Sequence, residues 1–345
     1  MESREIVRTA LTGGRPERIP FALGFFSQSL FGAPDGDELF GTDVRFVEFD
    51  PPADQGAFQT YLESLPADVH VGSTAQLHTY QEWGYRPESG EPHPLSRAVS
   101  AADISEGLLP DLTDARRSAG LREEVERLHR RGLAAAGAPP ALGGELFESA
   151  YRLRGFERFM EDLLERPALV HYLLDQLTAM LIRNAVTLVE AGVDILLLDD
   201  DVAASHGLIV GPHTWRRFFR DRMASVIAAA REAAPGIIVF FHSDGDFSRL
   251  LPELVEVGVD VVNPLAPDCM DSAAVRREFG GRLAFWGTVG TAVLWDQGTP
   301  DQVRAEVRLR KDALGPSGLL FSPAYDIDYA PRENVLAFVE AALEP

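Results

Sequence analysis

The segment GIIVFFHSDGD, residues 236–246, ends a run of apolar β-forming residues with His242, Asp244, Gly245 and Asp246. His242 and Asp244 are two apart. On an extended strand end that spacing sends both side chains to one side, and imidazole and carboxylate are both good ligands for zinc or a harder divalent ion. The same letters also describe a polar turn at Asp244-Gly245, with Asp244 capping the next helix and His242 hydrogen-bonded to a neighbouring carboxylate. Residues of similar chemistry follow other apolar runs: Glu145 and Glu148, Asp199 to Asp201, Asn263 and Asp268, Trp286, and Tyr325, Asp326 and Asp328. Convergent buried carboxylates repel one another unless a cation or a shared proton neutralises them. A divalent metal or a cationic substrate is therefore a suitable tenant. In Asp199–Asp201, strand alternation sends the outer two side chains one way and the middle one the other, so at least one is structural; Asp200 or Asp201 stands near the site, and Asp200 is taken as a candidate catalytic group.

Positioning these residues calls for many short strands. About eight β-rich apolar runs recur, at residues 19–25, 68–72, 140–146, 193–199, 236–241, 259–263, 283–286 and 318–322. Helical patterns stand between them, at 121–132, 167–191, 213–234, 300–313 and 332–343, each with apolar residues at three- and four-residue spacing. Regular alternation of this kind favours a parallel sheet, and about eight strands is the number of an α/β (β/α)8 TIM barrel. The chain reads as one domain, 1–345, with a long excursion after the second strand, at 80–114, that could cover the barrel mouth. In such a barrel the active site lies at the carboxyl ends of the strands, where the polar residues above fall.

Composition narrows the function. With 53 acidic and 32 basic residues the formal charge is −21, a field that repels nucleic acid and anionic membranes. One cysteine, Cys269, excludes an internal disulfide framework and any multi-cysteine metal site, and fits a cytoplasmic protein. Cys269 reads as a small buried hydrophobe rather than a nucleophile, since no local histidine accompanies it. The amino terminus has no apolar signal core, and no apolar run reaches spanning length. Gly280-Gly281 and GTVGT lack the lysine of a phosphate loop, and no serine-hydrolase elbow is present. Tyr151, Arg152 and Arg154 could reach a substrate carboxylate, or could serve as helix surface and salt bridges.

The segments SREIVRTALTGGRPERIP, GGELFESAYRLRGFERFMEDLLERP, GVDILLLDDD, FFHSDGD, VDVVNPLAPDCMD, FWGTVGT and APRENVLAFVEAAL, in that order along nearly the whole chain, resemble the uroporphyrinogen decarboxylase superfamily. The resemblance implies a (β/α)8 barrel and an enzyme. The haem-pathway decarboxylase of that superfamily has an arginine-rich motif after its first strand and an aspartate after its second. Here those places read FALGFFSQSL, without arginine, and VGSTAQ, with Ser73 and Thr74. Only Tyr151 matches a binding-site residue of that enzyme, which argues against uroporphyrinogen as substrate. The methyltransferase branch binds zinc through a histidine and a cysteine after the fifth strand and a second cysteine after the eighth. His242 matches the histidine, Asp244 stands for the first cysteine, and Tyr325 falls near the second.

Oxygen ligands in place of thiolates make a harder, more Lewis-acidic metal, suited to polarising an ether, hydroxyl or carboxylate. The expected ligands are His242 and Asp244, helped by Glu145, Glu148, Asp200 or Asp326, with zinc the first candidate. The leading expectation is metal-assisted methyl transfer or demethylation of a small substrate, with Phe241 and Trp286 walling the pocket and Asn263 and Tyr325 contacting the substrate. A corrinoid carried on a separate protein would be the methyl partner. A decarboxylase or other lyase on a small carboxylic acid is the alternative, with Arg152 or Arg154 binding the carboxylate and Tyr151 or His242 delivering the proton. A non-catalytic binder of a cationic ligand is the third.

Overall fold

The computed structural model describes residues 1–26, 30–31, 35–50, 93, 95–104, 112–141, 143–327 and 329–344. Seven strands form one parallel, curled sheet in sequence order. They are β1 (Val44–Val47), β2 (Ala134–Gly137), β3 (Ile195–Asp199), β4 (Ile238–His242), β5 (Val261–Asn263), β6 (Ala284–Trp286) and β7 (Leu319–Leu320). The segment around Phe21 bonds to both ends of this order. Ala22 N–H donates to Phe321 O (2.8 Å), Phe321 N–H to Pro20 O (2.9 Å) and Asp43 N–H to Phe21 O (3.1 Å).

Among the expected early strands, one is displaced, one lies outside the described residues, and a strand that was not expected is present. The run at 68–72 lies outside the described residues, as do Ser73, Thr74, Asp328 and most of the expected excursion. The strand beside β2 is Val44–Val47, hidden in the sequence by Arg45 and flanking acids. Arg45 is buried and folds back, its guanidinium donating to Thr42 O (2.8 Å) and Val44 O (2.9 Å), so its charge never meets the core. The described residues of the run at 140–146 belong to no strand of the sheet, and the strand precedes them as Ala134–Gly137. Alanine and glycine have weak strand propensity, but here their small size decides: a Cβ on Gly137 would come within 2.8 Å of Leu188 Cδ2 on the long helix behind the sheet.

Alternation along the strands divides the apolar residues into two shells. Ile195, Leu197, Ile238, Phe240, Val261, Ala284, Trp286 and Leu320 fill the concave interior, while Leu196, Leu198, Val239, Phe241, Val262, Phe285 and Leu319 pack outward against helices. The main outer helices are α1 (Ser3–Leu11), α2 (Leu121–Arg130), α3 (Phe147–Arg154), α4 (Phe156–Glu165), α5 (Pro167–Ala191), α6 (Asp221–Ala233), α7 (Leu251–Val257), α8 (Ser272–Phe279), α9 (Pro300–Leu314) and α10 (Arg332–Leu343). Pro167 opens α5 at a position that needs no N–H donor, and Gly192 (φ 104°) closes it in the left-handed region. Among the described residues no helix is long and apolar enough to cross a membrane.

Candidate metal centre at the carboxyl ends of the strands

The inward parity that buries Ile195 and Leu197 on β3, Ile238 and Phe240 on β4, and Val261 on β5 places the next inward position of each strand at its carboxyl end. Those positions are Asp199, His242 and Asn263. Sheet register aligns them, Asp199 opposite His242 and His242 opposite Asn263. A row of apolar layers is thus capped by a polar one, with the buried Trp286 beneath the same end of β6.

The ligand atoms of Asp199, Asp201 and His242 lie within 4.8 Å of one another. Donors on one ion stand roughly 3–4 Å apart at ordinary bond lengths, so the three come close to ligand spacing. His242 Nδ1 meets Asn263 Oδ1 at 2.5 Å, and Asn263 Nδ2 in turn donates to Trp286 O at 2.9 Å. The second bond fixes the amide, leaving its oxygen as acceptor, so His242 carries the proton on Nδ1 and turns Nε2 to the carboxylates. Nε2 is 3.6 Å from Asp201 Oδ1 and 3.7 Å from Asp244 Oδ1. The Phe25 ring stacks on the imidazole, centroids 4.2 Å apart. Gly287 (φ 75°) is required beside this chain, because a Cβ there would stand 2.3 Å from Asn263 Nδ2.

The electrostatics favour a cation. Asp199 Oδ1 is buried with no hydrogen-bond partner. Burial, aided by the charges of Asp201, Glu148 and Asp200 and opposed by His242, holds the Asp199 carboxyl well above the ordinary range. Burial by itself lowers the His242 pKa, yet the carboxylates of Asp199, Asp201 and Asp244 raise it to about 9. An unpartnered buried carboxyl oxygen, a second carboxylate and an imidazole whose oriented Nε2 gives up its proton when a cation binds are the donor set a hard or borderline divalent ion takes, so these residues fit a metal.

The remaining expected site residues divide sharply. Asp200 points away from the cluster. Its two oxygens accept the N–H groups of Phe147 (2.8 Å) and Glu148 (2.9 Å) at the start of α3, and burial pushes its pKa up to about 8. It anchors a helix instead of facing the pocket. Glu145 is buried and locked to the β3 backbone, its N–H donating to Asp199 O (2.8 Å) and its carboxylate accepting from Asp199 N–H. Burial, then the Asp199 charge, keeps its pKa well above the usual range. Glu148 accepts from Tyr151 OH and Arg152 Nη2, both at 2.7 Å. Burial and the adjacent Glu148 charge raise the Tyr151 pKa.

Arg154 does not reach the pocket. It is 1% exposed, paired with Asp162 at 2.5 Å, and donates to the carbonyls of Leu95 and Ala98. Phe241 belongs to the outer shell; Phe240 is the inward neighbour, packed edge-on to Trp286 at 5.1 Å. Trp286 is wholly buried and donates to Gly24 O at 3.1 Å, which makes it a floor. Tyr325 donates to Asp268 Oδ1 at 2.5 Å and lies 3.7 Å from the half-buried Cys269 sulfur. Asp244 is mostly exposed; its N–H donates to Asp201 Oδ1 at 2.6 Å. The turn expected there is present, since Gly245 has φ 83° and its Cα side faces the Ala204 carbonyl, but the carboxylate that accepts from Ser248 N–H is that of Asp246, and the next helical turn, Ser248–Leu250, has no side-chain cap. Among the described residues Asp244, Glu145, Glu148 and Asp326 fall outside the cluster of three. Asp199 and Asp201 stand outside the expected ligand set, although strand alternation pairs these two.

A parallel α/β sheet with its polar cluster at the carboxyl strand ends is the architecture of many enzymes. The chain belongs to the uroporphyrinogen decarboxylase (URO-D) family, whose profile matches residues 83–344. It is similar to uroporphyrinogen decarboxylases from Coxiella burnetii (29% identical over 184 residues, 52% of this chain and 48% of the relative) and Thermus thermophilus (30% over 211 residues, 61% and 58%). The chain thus spans about half the length of the relatives it matches. A methyltransferase from Methanosarcina mazei has the same fold, with a TM-score of 0.68 and 18% identity over 99% of this chain and 98% of that one.

Proposed function

We propose that this chain is a metal-assisted methyl-transfer or demethylation enzyme acting on a small oxygen- or nitrogen-bearing substrate. The observation that carries the reading is the convergence of Asp199, Asp201 and His242, with the imidazole already oriented by Asn263. When bound, a divalent ion supplies Lewis acidity that polarises the leaving or accepting heteroatom. Asp199, Asp201 and Nε2 of His242 would hold it, Trp286 and Phe25 keep the floor and one wall apolar, and Glu148 with Tyr151 would manage a proton at the substrate. A methyltransferase shares this fold over almost the full length, and a corrinoid on a separate protein would be the methyl partner of the proposed reaction. FALGFFSQSL carries no arginine where the haem-pathway decarboxylase has its arginine-rich motif, which opposes a polycarboxylate such as uroporphyrinogen. The proposal includes a closed (β/α)8 barrel, with the Phe21 segment as the eighth position between β7 and β1, over a single cytoplasmic domain.

The test is anaerobic methylation of cob(I)alamin from a panel of methoxy and methylamine donors, comparing the parent with Asp199→Asn. Methylcobalamin formed by the parent and lost in the variant is the expected result. One observation favours decarboxylation of a small acid: Glu148 joins a phenol and a guanidinium, Tyr151 and Arg152, beside the cluster. Carbon dioxide release from a carboxylic acid, with no methylation from any donor, would replace the first reading by the second.

A further inference from the structure

We propose that the opposite end of the sheet carries a second ligand site, for a small oxyanion of the phosphate or carboxylate class. A cavity of about 410 Å³ opens there, between the end of α1 and the amino ends of β4, β5 and β6, with Gly318 ahead of β7. Ile238 lines it while His242 ends the same strand, so the two sites are separated by the length of β4, roughly 13 Å.

The charge at this cavity is opposite to that of the chain, which carries a net −21. Its one lining carboxylate among the described residues, Asp260, is held by Arg231 at 2.9 Å. Arg282 also lines the cavity, lies over the Phe279 ring at 5.0 Å, and makes no ion pair among the described residues. Arg276 runs beside the wall. A Cβ on either lining glycine, Gly280 or Gly318, would come within 2.8 or 2.9 Å of its side chain, so the two glycines give the arm its room. Arg276 Nη2 donates to Ser317 O at 2.8 Å and the group lies over the Phe285 ring, but Nη1 is buried with no hydrogen-bond partner. Burial lowers the Arg276 pKa, and no carboxylate offsets it. A buried guanidinium N–H left without an acceptor is costly, and the exposed Arg282 adds a second positive charge with no ion pair among the described residues. An oxyanion in the cavity meets Arg282 in the lining and brings negative charge to Arg276, which lies behind Gly280 and Gly318.

The test uses the full chain and isothermal titration with inorganic phosphate and, separately, succinate, at matched ionic strength. The parent should bind at least one of the two saturably, and which one assigns the ligand class. Arg276→Met and Arg282→Ser should each weaken that binding about tenfold or more, while His242→Ala leaves it unchanged. Arg282 is exposed, so Arg282→Ser keeps the experiment informative should Arg276→Met fail to fold. Absence of saturable binding by both anions would overturn the proposal. So would binding that survives Arg282→Ser, or binding that is lost with His242→Ala.

Discussion

Replacing Asn263 by leucine should separate the imidazole's position from its presence. Asn263 is 2% exposed and makes two hydrogen bonds, one to His242 Nδ1 and one to Trp286 O. A bond to a charged imidazole contributes about 1.5–3 kcal/mol and a neutral one about 1 kcal/mol, so the variant should lose roughly 3 kcal/mol of stability. Loss of a group that orients a ligand typically weakens metal binding about 10- to 100-fold. Gly287→Ala should reproduce part of the metal effect without touching Asn263, because its Cβ would displace the amide from 2.3 Å. Asn263→Asp keeps an acceptor for Nδ1–H and should recover most of the affinity while still losing the bond to Trp286 O. Urea unfolding gives the stability, and competition with a chromophoric chelator gives the metal Kd. Unchanged metal affinity in both Asn263→Leu and Gly287→Ala would refute the claim that this chain orients His242.

Three other substitutions test assignments made from the structure. Arg154→Met should cost about 3–5 kcal/mol, the usual result of leaving one partner of a buried ion pair uncompensated, with metal affinity unchanged; a large loss of ligand binding at parental stability would return Arg154 to the pocket. Asp200→Ala removes the acceptor of two N–H groups at the start of α3 and should cost about 1–3 kcal/mol in urea unfolding. Asp37 gives the pH dependence. Burial, opposed by the Thr42 hydroxyl and Arg45, raises its pKa from 3.8 to about 6. The folded state therefore holds the proton more tightly than the unfolded chain, so the stabilisation is complete below the unfolded pKa and is lost as pH rises through about 6. Asp37→Asn keeps an acceptor for the Thr42 hydroxyl, so it should flatten the stability profile across that window and raise stability at neutral pH by up to about 3 kcal/mol. A parental slope retained in the variant would contradict this.

Much of the fold is legible because its signals are local. Helix α5 is bounded by proline and glycine at the residues where it starts and stops, and β3 to β7 stand inside apolar runs that no other element could use. The early strands are obscured by side chains whose roles are tertiary. Arg45 reads as a surface charge until its folded-back hydrogen bonds are seen, and Ala134–Gly137 reads as a helical or loop segment until Leu188 is found against it. In the site, the chemistry of HSDGD is legible and the partners are not. Parity pairs Asp199 with Asp201, yet only the register of β3 against β4 shows that this pair, and not Asp200, faces His242. Parity also separates Phe240 from Phe241, and which of them faces inward depends on where β4 begins. Arg154 sits on a polar, helical stretch, and nothing local distinguishes a substrate-binding arginine from one that holds Asp162.

The most direct test of the metal centre is divalent-ion stoichiometry by elemental analysis and titration, on the parent chain and on Asp199→Asn, Asp201→Asn, His242→Ala and Asp244→Ala. The parent should take up one zinc or similar ion per chain, the first three variants should lose it, and Asp244→Ala should retain it. A parent that binds no ion under metal-replete conditions, or an ion whose affinity is the same in all four variants, would contradict the assignment of Asp199, Asp201 and His242 as ligands.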